Sequence, residues 1–179
     1  MGYAIELYLS AEHATRVVAL WERLADAGIT SLMLDMGSRP HVSLAVLDAL
    51  DPTSLRPHLG RFAQATPPLS LTLSHAGTFP TDEGVVFLAP VVTEALLALH
   101  DRCHEMLTAN GSTSLAYYRP GHWVPHCTVG MNVPLDQIGA AVELCRESAA
   151  LGPIEIDAVG LVEFRPVREL YAFPLGNMN

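Results

Sequence analysis

The chain contains no lysine; all ten of its basic residues are arginines. That absence excludes lysyl–nucleotide intermediates, Schiff bases and the P-loop, each of which needs an amine at a set place. No G-x-G-x-x-G fingerprint for a dinucleotide is present. Cysteine is scarce, at three residues with no C-x-x-C spacing. Cys103, Cys127 and Cys145 are therefore expected to be reduced structural thiols, not a disulfide frame. No apolar run approaches the roughly 18 residues that cross a bilayer. The opening MGYAIELYLS has neither the basic start of a secretory signal nor the hydroxyl position of a myristoylation signal. A cytoplasmic protein with no membrane partner is expected. The net charge of −9 argues against coating extended nucleic acid, which needs a basic surface to displace counterions. It does not exclude a small nucleotide or a single RNA end.

Half of the 179 residues are hydrophobic, enough for a sizeable core in one compact domain or two small lobes sharing it; with the internal repeat below, a single two-lobed domain over 1–179 is expected. Two stretches stand out, RPHVSLAV (Arg39–Val46) and WVPHCTVG (Trp123–Gly130). In each, a proline precedes a histidine, and a hydroxyl residue follows two places later. Strand side chains alternate, so His41 shares a face with Ser43, and His126 with Thr128. Val42, Leu44 and Val46 are expected on the opposite face of the first strand, and Cys127 and Val129 on that of the second.

The two stretches lie 85 residues apart, and the same offset pairs Pro68 with Pro153, Leu69 with Ile154, Leu71 with Ile156 and Phe79 with Phe164. Thr30-Ser31-Leu32 is echoed by Thr113-Ser114-Leu115 at an offset of 83. Two related halves facing each other would bring both histidine–hydroxyl pairs to one cleft. Strands are expected at 3–9, 29–36, 69–73, 85–89, 154–164 and 169–173, besides the two motifs. Helices are expected at 11–27, 51–65, 91–109 and from Pro134 to about 149. Pro120-Gly121 marks a turn in the loop 118–122.

Histidine titrates nearest neutrality, so two of them can divide base and acid roles around a phosphate. Ser43 and Thr128 can donate to the non-bridging oxygens. That scheme calls for no metal and no cofactor. The paired motifs resemble the two H-x-S/T signatures of the 2H phosphoesterase superfamily, which includes bacterial proteins called 2′-5′ RNA ligases and cyclic nucleotide phosphodiesterases. The resemblance implies a bilobal, duplicated α+β fold: two antiparallel sheets around a central cleft, with helices on the outer faces. It also implies metal-independent hydrolysis of 2′,3′-cyclic or related nucleotide phosphodiesters, with His41 and His126 catalytic and Ser43 and Thr128 binding phosphate. Alternatives are 2′-5′ RNA end joining or cleavage, and a non-catalytic nucleotide sensor.

Arg39, Tyr118 and Arg119 lie just upstream of the motifs and are candidates for substrate binding: arginine for phosphate, tyrosine for stacking on a base. Ordinary loop packing is the competing expectation for all three. His100 and His104 have metal-ligand spacing on a helix but lack H-E-x-x-H, and a surface or half-buried pair is the better reading. His122 sits beside the turn. Phe79 and Phe164 are read as core, and His13, His58 and His75 receive no role. The expected partner is a small nucleotide or RNA-end phosphodiester, met by a monomer.

Overall fold

The computed structural model describes residues 2–164 and 166–176. Seven strands and five helices follow in order: β1 (Gly2–Leu9), α1 (Ala11–Asp26), α2 (Leu32–Asp35), β2 (His41–Leu47), α3 (Pro52–Gln64), β3 (Leu69–Thr78), β4 (Val86–Pro90), α4 (Glu94–Ala109), β5 (Cys127–Gly130), α5 (Ile138–Arg146), β6 (Gly152–Phe164) and β7 (Arg168–Pro174). With the four-residue α2 set aside, strand-helix-strand-helix-strand occurs twice before β7.

The fold is α+β, with every strand pairing antiparallel. Two sheets were expected; the strands form a single sheet ordered β2-β1-β6-β3-β4-β5, with β7 also on β6. The cause is the length of β6. Residues 156–164 pair with β1, while the other edge takes β3 at 152–156 and β7 at 158–163. One 13-residue strand thus joins what would otherwise be two sheets. The end strands β2 and β5 also touch each other, so the sheet curls round until the two motif strands meet.

Helices form where apolar residues recur every three or four positions. Helix α1 buries Val17, Leu20, Trp21 and Leu24, and α3 buries Leu55, Leu59, Phe62 and Ala63. Asp51 caps α3 by accepting from the Thr53 amide, with Pro52 in the first turn. These faces pack on one side of the sheet. On β4, Val86 and Leu88 join that main core, whereas Phe87 and Ala89, with Val85 just before the strand, form a second cluster with Phe79. Cys103, Cys127 and Cys145 are free and buried. Burial pushes their thiols up to about 12, about 12 and about 11, so they are inert core residues.

Three local expectations fail for identifiable reasons. Residues 29–36 are not a strand: Thr30 Oγ1 accepts from the Leu32 amide, the Ser31 carbonyl accepts from Leu34 and Asp35, and the one-turn α2 results. On β2, Val46 is only half-buried while Ala45 and Leu47 are fully buried. A bulge opposite Ile5 and Glu6 inserts one residue and reverses the alternation after Leu44. The second motif strand is short, starting at Cys127 after Pro125, which has no amide hydrogen to give to a ladder.

Candidate active site

The two histidines are held the same way. Nδ1 of His41 lies 2.6 Å from the Arg39 carbonyl, and Nδ1 of His126 lies 2.7 Å from the Val124 carbonyl. A carbonyl can only accept, so each Nδ1 carries the hydrogen and each Nε2 is left for chemistry. In both cases the acceptor is the residue two places back, just before the proline, so the motif's own backbone fixes its ring. Ser43 and Thr128 are half-buried beside their histidines, above the buried Val42, Leu44, Cys127 and Val129.

The closed end of the sheet brings the two motifs together. The Trp123 indole donates to the Ser43 carbonyl at 3.0 Å, tying the second motif to the first. The Cys127 thiol reaches the backbone of His41. His41 lies close enough to His126 for its charge to disfavour a second charge there. Burial is the larger cause holding the His126 ring below its ordinary titration range, and the Val124 carbonyl acts the other way.

The surroundings differ. Across the ladder from β2, Tyr8 faces His41 and Glu6 faces Ser43. Glu6 Oε1 lies 3.4 Å from His41 Nε2. Burial raises the carboxyl's titration, and His41 opposes the rise. Across from β5, the residue facing Thr128 is Phe87. The His126 ring meets Phe79 edge-on at 5.0 Å and Phe87 at 5.3 Å. A glycine makes room for the large ring in each half. A Cβ on Gly160 would come within 2.6 Å of the Tyr8 ring, and one on Gly77 within 2.8 Å of the Phe87 ring.

Both arginines are engaged by other protein groups. Arg39 lies 3.9 Å from the centre of the Tyr8 ring and pairs with Glu169 at 2.6 Å. Arg119 donates to the Ser114 carbonyl at 2.8 Å and borders a separate open depression with Asp101, His104 and Glu105. Tyr118 is half-buried, and burial, then the charges of Glu6 and Glu83, raise its hydroxyl's titration. His122 is exposed in the turn, its amide donating to the Arg119 carbonyl.

His100 is wholly buried, deeper than the surface or half-buried place expected of it, and His104 is half-buried. Their Nε2 atoms reach the carbonyls of Tyr118 and Leu44 at 2.9 and 3.2 Å, and His100 stacks on Trp123 at 4.0 Å. Burial lowers the titration of both rings. Among the described residues, no group of three or more metal-ligating side chains gathers.

Sequence reading missed Glu6, Phe87 and Trp123; Phe79, read as core, does pack on the cluster of Val85, Phe87 and Ala89, and its half-buried ring also meets His126. Phe164, its partner in the repeat, lies over Gly2 instead. Glu6 did carry a signal: it is the one charged residue in the apolar run YAIELYL, where strand residues are seldom charged.

The fold resembles several solved structures. LigT of E. coli in its apo form covers 98% of this chain and 98% of its own at 18% identity, with a TM-score of 0.62. TT0787 of Thermus thermophilus covers 99% and 100% at 17% identity, with a TM-score of 0.63. Usb1 of Kluyveromyces marxianus covers 97% and 97% at 14% identity, with a TM-score of 0.50. No curated protein matches the sequence. The family model of the 2′-5′ RNA ligase superfamily matches residues 9–167. The chain belongs to that superfamily, the 2H phosphoesterases.

Proposed function

We propose that this protein is a metal-independent phosphodiesterase that hydrolyses 2′,3′-cyclic or related nucleotide phosphodiesters, with His41 and His126 as its acid–base pair. The observation that carries the reading is the twin arrangement of the rings, each anchored through Nδ1 to its own motif's backbone. One Nε2 takes a proton from the attacking water as its oxygen bonds to phosphorus. The bond from phosphorus to the ribose oxygen breaks, and the other Nε2 protonates that oxygen. The Ser43 and Thr128 hydroxyls donate to the non-bridging oxygens, whose negative charge shortens and strengthens such bonds. Tyr118 is the candidate to pack against the nucleoside.

Membership of the superfamily supports phosphodiester chemistry, and an E. coli LigT structure with 3′-AMP supports a nucleotide-sized substrate. The net charge of −9 favours a small substrate over extended nucleic acid. We place the protein in the cytoplasm as a monomer, each half of the chain contributing one lobe and one histidine to the cleft.

The test is turnover of 2′,3′-cyclic mononucleotides and 2′-5′-linked dinucleotides, with and without a chelator. The expected result is hydrolysis that chelation leaves intact. Binding without turnover would mean a sensor; loss on chelation with recovery on adding zinc would overturn the metal-free mechanism.

A further inference from the structure

Glu6 is the one carboxylate among the described residues that the fold buries. It stands in the middle of β1 between Ile5 and Leu7, both wholly buried. A carboxylate there is costly unless a partner compensates it. Its partner is His41: Oε1 and Nε2 are 3.4 Å apart, with the side chains 10% and 16% exposed. The other polar groups facing this pair are Tyr8 from β1, Arg39 from the start of β2, Glu169 from β7, Tyr118 from the loop before β5, and His126 and the Cys127 thiol from the second motif. Arg39 is engaged by Glu169, which leaves His41 as the basic side chain nearest Glu6. In the matching place across from Thr128 stands Phe87, and aromatic rings, with no carboxylate in contact, surround His126.

We propose that Glu6 is a positioning residue that holds His41 in its charged, proton-donating form, while the Phe79–Phe87 wall leaves His126 as the neutral proton acceptor. The inference rests on the phosphodiesterase reading and assigns the two roles within it. Water gives its proton to His126 Nε2 as its oxygen bonds to phosphorus; the ribose oxygen leaves and takes the proton from His41 Nε2. Solvent then removes a proton from His126 and returns one to His41, and Glu6 gains and loses nothing over the cycle. Burial favours a proton on Glu6, and His41 beside it acts the other way.

The test uses the full chain as wild type, Glu6→Gln and Glu6→Asp. Glutamine keeps the shape and removes the charge, so a mere packing role predicts an unchanged pH profile. With a 2′,3′-cyclic mononucleotide, the alkaline limb of kcat should move down by about one pH unit or more in Glu6→Gln. The acidic limb should stay in place, activity above neutral should fall about tenfold, and Glu6→Asp should be intermediate. A wild-type profile in Glu6→Gln, or movement of the acidic limb alone, overturns the proposal. A second readout needs no turnover: NMR titration of the His41 and His126 rings, whose midpoints should draw together in Glu6→Gln. Ring titrations that respond in a protein without turnover would sink the phosphodiesterase reading and keep the Glu6–His41 coupling. Ring titrations that do not respond would sink the coupling whatever the activity.

Discussion

His41 and His126 occupy matching places on the curled sheet and live in opposite surroundings. Each ring is aimed by the carbonyl two residues back. Each half has a large aromatic residue lying over a glycine, Tyr8 on Gly160 and Phe87 on Gly77. The difference lies in what crosses the ladder to the hydroxyl residue. Glu6 faces Ser43, and Phe87 faces Thr128. Two strands with the same local motif supply similar platforms, and one side chain on each neighbouring strand gives them different surroundings. Hydrocarbon around a ring disfavours its charged form, whereas a carboxylate favours it. Replacing a buried ion pair with apolar residues is often neutral or stabilising, so stability alone gives little reason for a carboxylate at this place.

The largest effect that sharpens the comparison is loss of either ring. His41→Ala and His126→Ala should each lower kcat by about 10²–10⁴-fold, the usual worth of one proton transfer, measured on a cyclic phosphodiester at saturating substrate. Smaller losses should follow from the hydroxyls. Ser43→Ala and Thr128→Val each remove one hydrogen bond to a charged oxygen, about 1.5–3 kcal/mol of transition-state stabilisation, read from kcat/KM. Equal losses would mean that both halves hold the phosphate alike. A loss confined to Thr128→Val would extend the asymmetry from the rings to the hydroxyls.

Trp123→Phe should cost about 0.5–1.5 kcal/mol of stability, because the stack on His100 remains while the bond to the Ser43 carbonyl goes. Chemical denaturation would measure it. An unchanged midpoint would mean that the indole does not tie the two motifs together.

The smallest effect concerns pH and stability. His100, His104 and His126 all titrate below their ordinary value of 6.5 in the fold, chiefly through burial. The unfolded chain therefore takes up protons that the folded rings refuse. Their contribution to stability is complete above about 6.5 and declines as pH falls through that value toward the lower folded-state values. Thermal melts from pH 8 to pH 5 should show a falling Tm. A flat Tm would contradict the burial of all three rings.

Much of the site was legible in the sequence because it is local. Histidine, hydroxyl and alternating apolar residues occupy consecutive positions, and strand geometry alone assigns their faces. What was not legible depends on distant pairing. No pattern in His41–Leu47 announces that Glu6, 35 residues upstream, crosses the ladder to it. Nor does the composition of β6 announce that one strand will pair with β1, β3 and β7 and merge two sheets into one. Arg39 and Arg119 were sequence neighbours of the motifs, but Glu169 and the Ser114 carbonyl set where they point. Residues 29–36 were misread because a short apolar run fits strand and helix alike, and the Thr30 hydroxyl decides for a turn of helix.

The most direct test of a two-histidine site is kcat for His41→Ala, His126→Ala and the double variant on one 2′,3′-cyclic nucleotide. If the rings act as a unit, each single variant should lose most of the activity and the double should be only slightly worse, far from the product of the two losses. Full activity in His41→Ala, with loss only in His126→Ala, would contradict the account and reduce the first motif to a structural echo of the second.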